Sequence, residues 1–294
     1  MFKSASQTLH TFAIGFLVFS FFLINTSNTA GAQAKSAATA KPALSLPAAV
    51  YTPQTFAVSY DVEISVDKKK ATASGMSQSL INGAAGLMGG GMSVGTVADT
   101  IQFDKEGNYL IQSSMSLGAL ASTFLGSGKY LRSSKGRIEN NTLNTMQYVD
   151  QRPEKKPLTA VMTDKKNVFF FDGKATAGKT AYTLNTQDAL SMMYANIGRV
   201  PVAGSKNLRT VFTDGKTVKT AAFNATAEKI KTPSGEWDAV KLTRSNAGQG
   251  DASIELWVRQ SDGLPIRLRL GMSEKYGALM DIKANKLPAV VVKY

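Results

Sequence analysis

The run from Thr232 to Leu270 (TPSGEWDAVKLTRSNAGQGDASIELWVRQSDGLPIRLRL) changes polarity at every second residue. Val240 and Leu242 alternate with polar neighbours. Ile254, Leu256 and Val258 alternate with Ser253, Glu255 and Trp257, and Ile266, Leu268 and Leu270 alternate with Arg267 and Arg269. Side chains on a strand point to opposite faces in turn, so this period means one buried face and one wet face. The breaks at Ser234-Gly235, Asn246 to Gly250 and Ser261 to Gly263 carry the Gly, Ser, Asn and Asp that tight turns need. The stretch reads as an antiparallel meander and predicts a mainly β protein.

The same signature recurs along the chain. Phe56 to Val66 gives the cleanest strand, with Val58, Tyr60, Val62, Ile64 and Val66 alternating with Ser59, Asp61, Glu63 and Ser65. Further strands are predicted over 100–103, 109–115, 129–132, 145–151, 158–163, 167–172, 207–213, 217–230 and 278–284. A last edge strand is predicted over 287–294. Leu117 to Leu125 (LGALASTFL) reads as one or two helical turns buried against the sheet. Thr186 to Ile197 is the one helix expected. Thr186 is placed to cap it, Asp188 favours its positive end, and Gly198 stops it. Leu190, Met193, Tyr194 and Ile197 form one apolar stripe at helical spacing, which reads as core or as a soft ligand-binding wall.

The N-terminus is read as an address. Lys3 precedes an apolar run of 13 residues from Phe12 to Ile24, shorter than the roughly 20 that span a bilayer. Ala32-Gln33-Ala34 then has the form a signal peptidase cuts, against the alternative of an uncleaved anchor. Residues 1–34 are thus expected to be a signal peptide, 35–54 a flexible lead-in rich in Ala, Pro, Ser and Lys, and 55–294 a single β-rich domain. A periplasmic location follows as an expectation. No Cys follows the apolar run to be acylated. The chain carries a formal +13, and loss of Lys3 with the leader leaves +12. For an exported protein this suggests anionic envelope surfaces, or simple solubility, rather than nucleic acid.

Absent residue types exclude more than present ones suggest. The chain has no Cys, and its one His is His10, inside the leader. The mature chain therefore lacks the usual general base, the Ser-His-Asp arrangement and nearly every zinc site. No cofactor is called for. Gly173 to Thr180 fits G-x-x-x-x-G-K-[ST] in full, but a phosphate loop must open a helix, and Ala181 to Asn185 read as extended, so no nucleotide is expected. Ser65-Val66-Asp67-Lys68 fits S-x-x-K, but positions three apart on a strand face opposite ways. Asp61 and Glu63 share one strand face and are the only carboxylate pair that invites a glycan-hydrolase reading. Arg259, Arg267 and Arg269 with Trp257 outline a basic-aromatic face suited to an acidic glycan or lipid head group, or a solvated outer face. The uncharged stretch Gly75 to Thr96 carries Leu80, Ile81, Leu87, Met88 and Met92. It reads as a flap that meets a lipid or partner, or as a loop whose apolar residues tuck onto the core.

The order of these features resembles the bacterial exported family called domain of unknown function 3108. The residues that carry the resemblance are the strand at Phe56, the apolar stretch at Leu117 to Leu125, and Asp188-Ala189-Leu190-Ser191. They continue with Asp214-Gly215-Lys216 after Val211-Phe212, Thr232-Pro233-Ser234-Gly235-Glu236-Trp237-Asp238-Ala239, Leu256-Trp257-Val258 and Leu264-Pro265-Ile266-Arg267. The resemblance covers nearly the whole mature chain and departs at the Gly/Met stretch, which looks like an expanded first hairpin. It implies a periplasmic, mainly antiparallel β fold related to the half-barrels of lipoprotein carriers. It implies no reaction and no catalytic residues.

The expected fold is a strongly curved antiparallel sheet or open barrel with one or two short helices on its concave side. The expected function is a non-enzymatic protein that binds an apolar or amphiphilic, lipid-like ligand between sheet and helices. Leu117, Leu120, Phe124, Leu190, Met193 and Tyr194 would contact the ligand, with the Gly75 to Thr96 loop near the mouth. The alternative is an assembly partner of other cell-envelope proteins, docking through an edge or the basic face. A carboxylate-based glycan hydrolase is the third reading.

Overall fold

The computed structural model describes residues 53–66, 69, 91–119, 122, 128–139, 142–153, 155–163, 167–173, 175–181, 186–247, 252–273 and 277–289. The first half of the chain forms β1 (Gln54–Val66), β2 (Met92–Phe103), β3 (Asn108–Leu117), β4 (Lys129–Glu139), β5 (Thr142–Gln151), β6 (Leu158–Thr163), β7 (Asn167–Asp172) and β8 (Ala175–Ala181). A two-residue strand β9 (Gln187–Asp188) and one helical turn α1 (Ser191–Tyr194) follow. The second half forms β10 (Leu208–Thr213), β11 (Val218–Thr232), β12 (Gly235–Arg244), β13 (Ile254–Arg259), β14 (Pro265–Ser273) and β15 (Ala278–Lys286). Among the described residues no helix is long and apolar enough to cross a membrane.

Among the described residues, the fifteen strands belong to one sheet, in the order β8-β7-β6-β5-β4-β3-β2-β1-β15-β14-β13-β12-β11-β10-β9. Every neighbouring pair is antiparallel except β9–β10, which is parallel. Two meanders therefore meet along β1 and β15, where Tyr60 opposes Ala284 and Val62 opposes Ile282. The two ends of the sheet, β8 and β9, are consecutive in the chain.

The sheet curls because its faces differ. Val58, Tyr60, Val62 and Ile64 of β1 are buried, and Asp61, Glu63 and Ser65 on the other face are not. Leu242, Leu256, Leu268 and Ile282 continue the buried face across β12 to β15 in register. Rolling that apolar face inward removes it from water without a second sheet. The curl brings the far ends together. The Thr145 amide of β5 donates to the Thr186 carbonyl beside β9 at 3.3 Å. A Cβ on Gly215, in the β10–β11 turn, would lie 3.3 Å from the Tyr148 ring of β5. Among the described residues the sheet does not close by strand pairing, so it is an open, barrel-like roll.

The turns use the chemistry expected of them. Asp104 Oδ1 accepts the amides of Glu106 (2.9 Å) and Asn108 (2.8 Å), and Gly107 takes a φ of +77°. The Asn108 side-chain amide, which donates to Asp104 Oδ2 at 2.8 Å, together with those backbone amides holds the exposed Asp104 carboxyl below its ordinary pKa. Asp214 Oδ1 does the same for the amides of Lys216 and Thr217, each at 2.9 Å.

Three expectations are corrected. The helix expected over 186–197 is reduced to the single turn Ser191–Tyr194. Residues 187 and 188 pair with β10 instead, because the Asp188 carboxylate takes the amides of Leu190 and Ser191 and starts the helix later. The region 117–125 opens as strand, with Leu117 ending β3; the Ser122 amide then bonds the Gly118 carbonyl at 2.9 Å in helical fashion. Residues 287–289 form no strand, and the rest of that segment lies outside the described residues.

The convex face carries the basic and aromatic residues singled out in the sequence. Trp257 alternates with buried residues, yet it is only 1% exposed. Lys241, Arg267 and Arg269 lie over its ring at 4.8, 4.9 and 5.6 Å, and their stems cover it. Each of these cations has an acid: Lys241 meets Glu255 at 2.5 Å, Arg267 forks onto Asp281 at 2.8 and 2.6 Å, and Arg269 meets Glu255 at 3.3 Å. Arg259, 4% exposed, is bound by Asp262 and by the carbonyls of Pro288 and Ala289. The basic face read from the sequence thus carries its own counter-ions. Asp61 and Glu63 lie on the same surface, where they accept from Asn285 Nδ2 and Lys283 Nζ, each at 2.6 Å. The Gly173–Thr180 stretch that fits the phosphate-loop pattern runs along β8 (Ala175–Ala181), a strand where such a loop would open a helix.

Candidate functional site

The concave face encloses a cavity of about 850 Å³, within the roughly 300–1,000 Å³ range of ligand pockets. Its floor is apolar and comes from strands far apart in sequence: Val62, Leu242, Leu256, Leu268, Met280 and Ile282. Ala189, Met192 and Met193 form its roof, from the segment around α1. Arg132, Tyr148 and Gln187 supply polar groups to its wall, and Arg199, Arg209 and Arg244 border it.

The roof is held by buried polar groups. Asp188 is fully buried, and its carboxylate accepts the hydroxyls of Ser134 (2.5 Å) and Thr145 (2.7 Å) as well as the amides of Leu190 (2.8 Å) and Ser191 (2.9 Å). The first two partners belong to β4 and β5, the last two to the start of α1. One side chain therefore pins the roof to the wall. Tyr109 completes the cluster, its hydroxyl bonding Thr145 Oγ1 at 3.0 Å. Burial raises the Asp188 carboxyl above its ordinary range, against the opposing hydrogen bonds.

A second pin holds the other end of α1. The Tyr194 hydroxyl lies 2.5 Å from Asp99 Oδ2 and 3.2 Å from the Tyr60 hydroxyl, which donates to the Pro265 carbonyl at 3.1 Å. Asp99 is buried, its Oδ1 has no hydrogen-bond partner, and burial raises its pKa. Asp99 opens a polar row that runs through Ser113, Arg132 and Asp150, which the strand register places side by side on β2 to β5. Arg152 closes the row on Asp150, at 2.7 Å.

This arrangement sets a pH dependence. Burial holds the folded pKa of Asp99 above the ordinary carboxyl value, so its contribution to stability is complete below that ordinary value and is lost as pH rises through the folded one. Asp99→Asn cannot ionise. Its Tm relative to the native protein is expected to rise between acid and neutral pH, because the variant escapes the cost of ionising a buried carboxyl. Parallel Tm-against-pH curves for the two proteins would show that Asp99 titrates normally.

The residues proposed from sequence are distributed as follows. Met193 borders the cavity. Leu190 and Tyr194 are buried on the far side of α1, where Tyr194 makes the Asp99 pin. Leu117 packs half-buried against the core. Leu120 and Phe124 lie outside the described residues. In the Gly/Met stretch, Met92 begins β2 and packs half-buried on the core, and Leu80, Ile81, Leu87 and Met88 lie outside the described residues. The floor, the arginines and Asp99 were not read as site residues, and Asp188 was read only as a helix-end residue. Asp99 did leave a trace, because it occupies an inward slot between Val97 and Ile101 where the alternation calls for an apolar residue. Among the described residues no group of three or more His, Cys, Asp or Glu could hold a metal ion.

A single antiparallel sheet, rolled around an apolar hollow and left open, defines the class of this molecule. The chain belongs to the family described as protein of unknown function DUF3108, whose model matches residues 84–283. Comparison with curated proteins finds no match. Among solved structures, the chain is similar to a beta-barrel-like protein of domain of unknown function DUF1849 from Brucella abortus, at 12% identity and a TM-score of 0.47. That similarity covers 81% of this chain and 97% of the other.

Proposed function

We propose that the protein is a non-enzymatic, exported binding protein that holds an apolar or amphiphilic, lipid-like ligand in the hollow of its rolled sheet. The observation that carries this reading is the cavity of about 850 Å³ with its apolar floor. A protein with only structural contacts to make gains nothing from so large an unfilled space, because each missing contact in a core costs stability. The export reading rests on the leader-like residues 1–34. The non-enzymatic reading rests on a chain whose one His is His10 and which has no Cys.

The test is to purify residues 35–294 under native conditions from cells exporting the full chain, extract with organic solvent and identify what is released by mass spectrometry. A stoichiometric amphiphile is expected. Leu256→Trp combined with Met280→Trp, which fills the floor, is expected to abolish it while circular dichroism stays native. A protein that comes out empty and binds no apolar dye would overturn the reading in favour of an assembly partner.

A further inference from the structure

Resting on that reading of the cavity, we infer that the ligand carries an oxyanion, a carboxylate or phosphate, which sits at the Arg199–Arg209 side of the cavity while its apolar chain lies on the floor. The charges around the cavity are one-sided. Among the described residues four arginines border it, Arg132, Arg199, Arg209 and Arg244, against the single acid Asp214. Asp214 is already committed, since Lys219 meets its Oδ2 at 3.0 Å and two turn amides hold its Oδ1. The convex face behaves in the opposite way, with each cation over Trp257 matched to a carboxylate.

Arg199 and Arg209 are exposed and form no ion pair with a described residue. They lie in the segment after α1 and on β10. A concave, low-dielectric wall focuses the field of such charges on whatever enters, and guanidinium matches the planar oxygens of carboxylate and phosphate. The lining is otherwise mainly apolar, so a small hydrophilic anion would leave the floor uncovered. A cationic amphiphile would meet repulsion, and a neutral one would leave the arginines unused.

The experiment compares ligands that share one C18 chain and differ only in the head: oleyl alcohol, oleate, oleyl phosphate and oleylamine. Each is titrated against the full folded domain loaded with the neutral dye N-phenyl-1-naphthylamine, at low ionic strength. Oleate and oleyl phosphate are expected to displace the dye about tenfold more tightly than oleyl alcohol, about 1.4 kcal/mol, with oleylamine weakest. The stronger of the two anions identifies the head group as carboxylate or phosphate. Arg199→Gln with Arg209→Gln is expected to erase the preference and leave oleyl alcohol unchanged. Equal binding of all four heads, or a preference for the amine, overturns the inference while the cavity reading stands. An anion preference that survives the double variant overturns the placement. Failure of every oleyl compound to displace the dye refutes the cavity reading itself.

Discussion

Asp188→Ala is expected to cost about 3–5 kcal/mol and to lower Tm by roughly 10 °C. The substitution removes the one acceptor shared by the Ser134 and Thr145 hydroxyls and by the amides of Leu190 and Ser191. Those donors remain buried, and a buried donor without an acceptor loses its full desolvation free energy. Part of the loss is offset because the aspartate itself was penalised by burial. Asp188→Asn keeps the acceptor for the two amides, and the hydroxyls can turn to accept from its Nδ2. Its cost is expected to be about 1–2 kcal/mol. Chemical denaturation of the three proteins decides the matter: an Ala variant within about 1 kcal/mol of native means that α1 is held by apolar packing instead. Because α1 roofs the cavity, the Ala variant is also expected to lose dye binding before it loses the sheet.

Gly263→Ala is the second large effect. Gly263 lies in the β13–β14 turn with a φ of +77°. Its amide donates to the Arg259 carbonyl at 2.8 Å, and the preceding Asp262 carbonyl accepts the Gly198 amide at 2.9 Å. The turn therefore sits directly on the loop that follows α1. A Cβ at Gly263 would lie 1.7 Å from the Asn196 carbonyl oxygen and 2.4 Å from its carbon. Backbone atoms cannot rotate away as a side chain can, so the turn or the roof must move. The expected loss is about 3–5 kcal/mol, the scale of a severe core disruption. Gly204→Ala is the control. Gly204 has a φ of +91° with nothing within 4 Å of a new Cβ, so it pays only the left-handed strain of about 1–2 kcal/mol. Equal losses at the two sites would show that backbone conformation alone, not the close approach, governs Gly263.

The strands were legible in the sequence because burial on one face writes itself into every second residue. Val240, Leu242, Ile254, Leu256, Ile266 and Leu268 were all placed on one face and are all buried there. The outward position of Trp257 was legible too, but not its burial, which depends on three long cations reaching in from β12 and β14. The polar row was not legible. Asp99, Ser113, Arg132 and Asp150 stand on four strands, and only the hairpin registers bring them together. The helix was overcalled because its apolar stripe is real, yet Leu190, Tyr194 and Ile197 are buried by a single turn and the bends around it. Periodicity reports which residues face inward; it does not report the Asp188 side chain, which competes for the first helical amides.

The meeting of β1 and β15 in the middle of the sheet bears on how the chain reaches this form. Each meander can zip up from local hairpins, but joining them must close a loop that runs from Tyr60 to Ala284. Such distant pairings carry the largest entropic cost and are formed slowly. A ribosome delivers β1 first and β15 last, so every nascent chain passes through a stage in which β1 and β14 both present an unpaired edge. Edges of that kind are templates for pairing with other chains. The fold therefore asks for protection during biogenesis, from a chaperone or from dilution, until its final strand arrives.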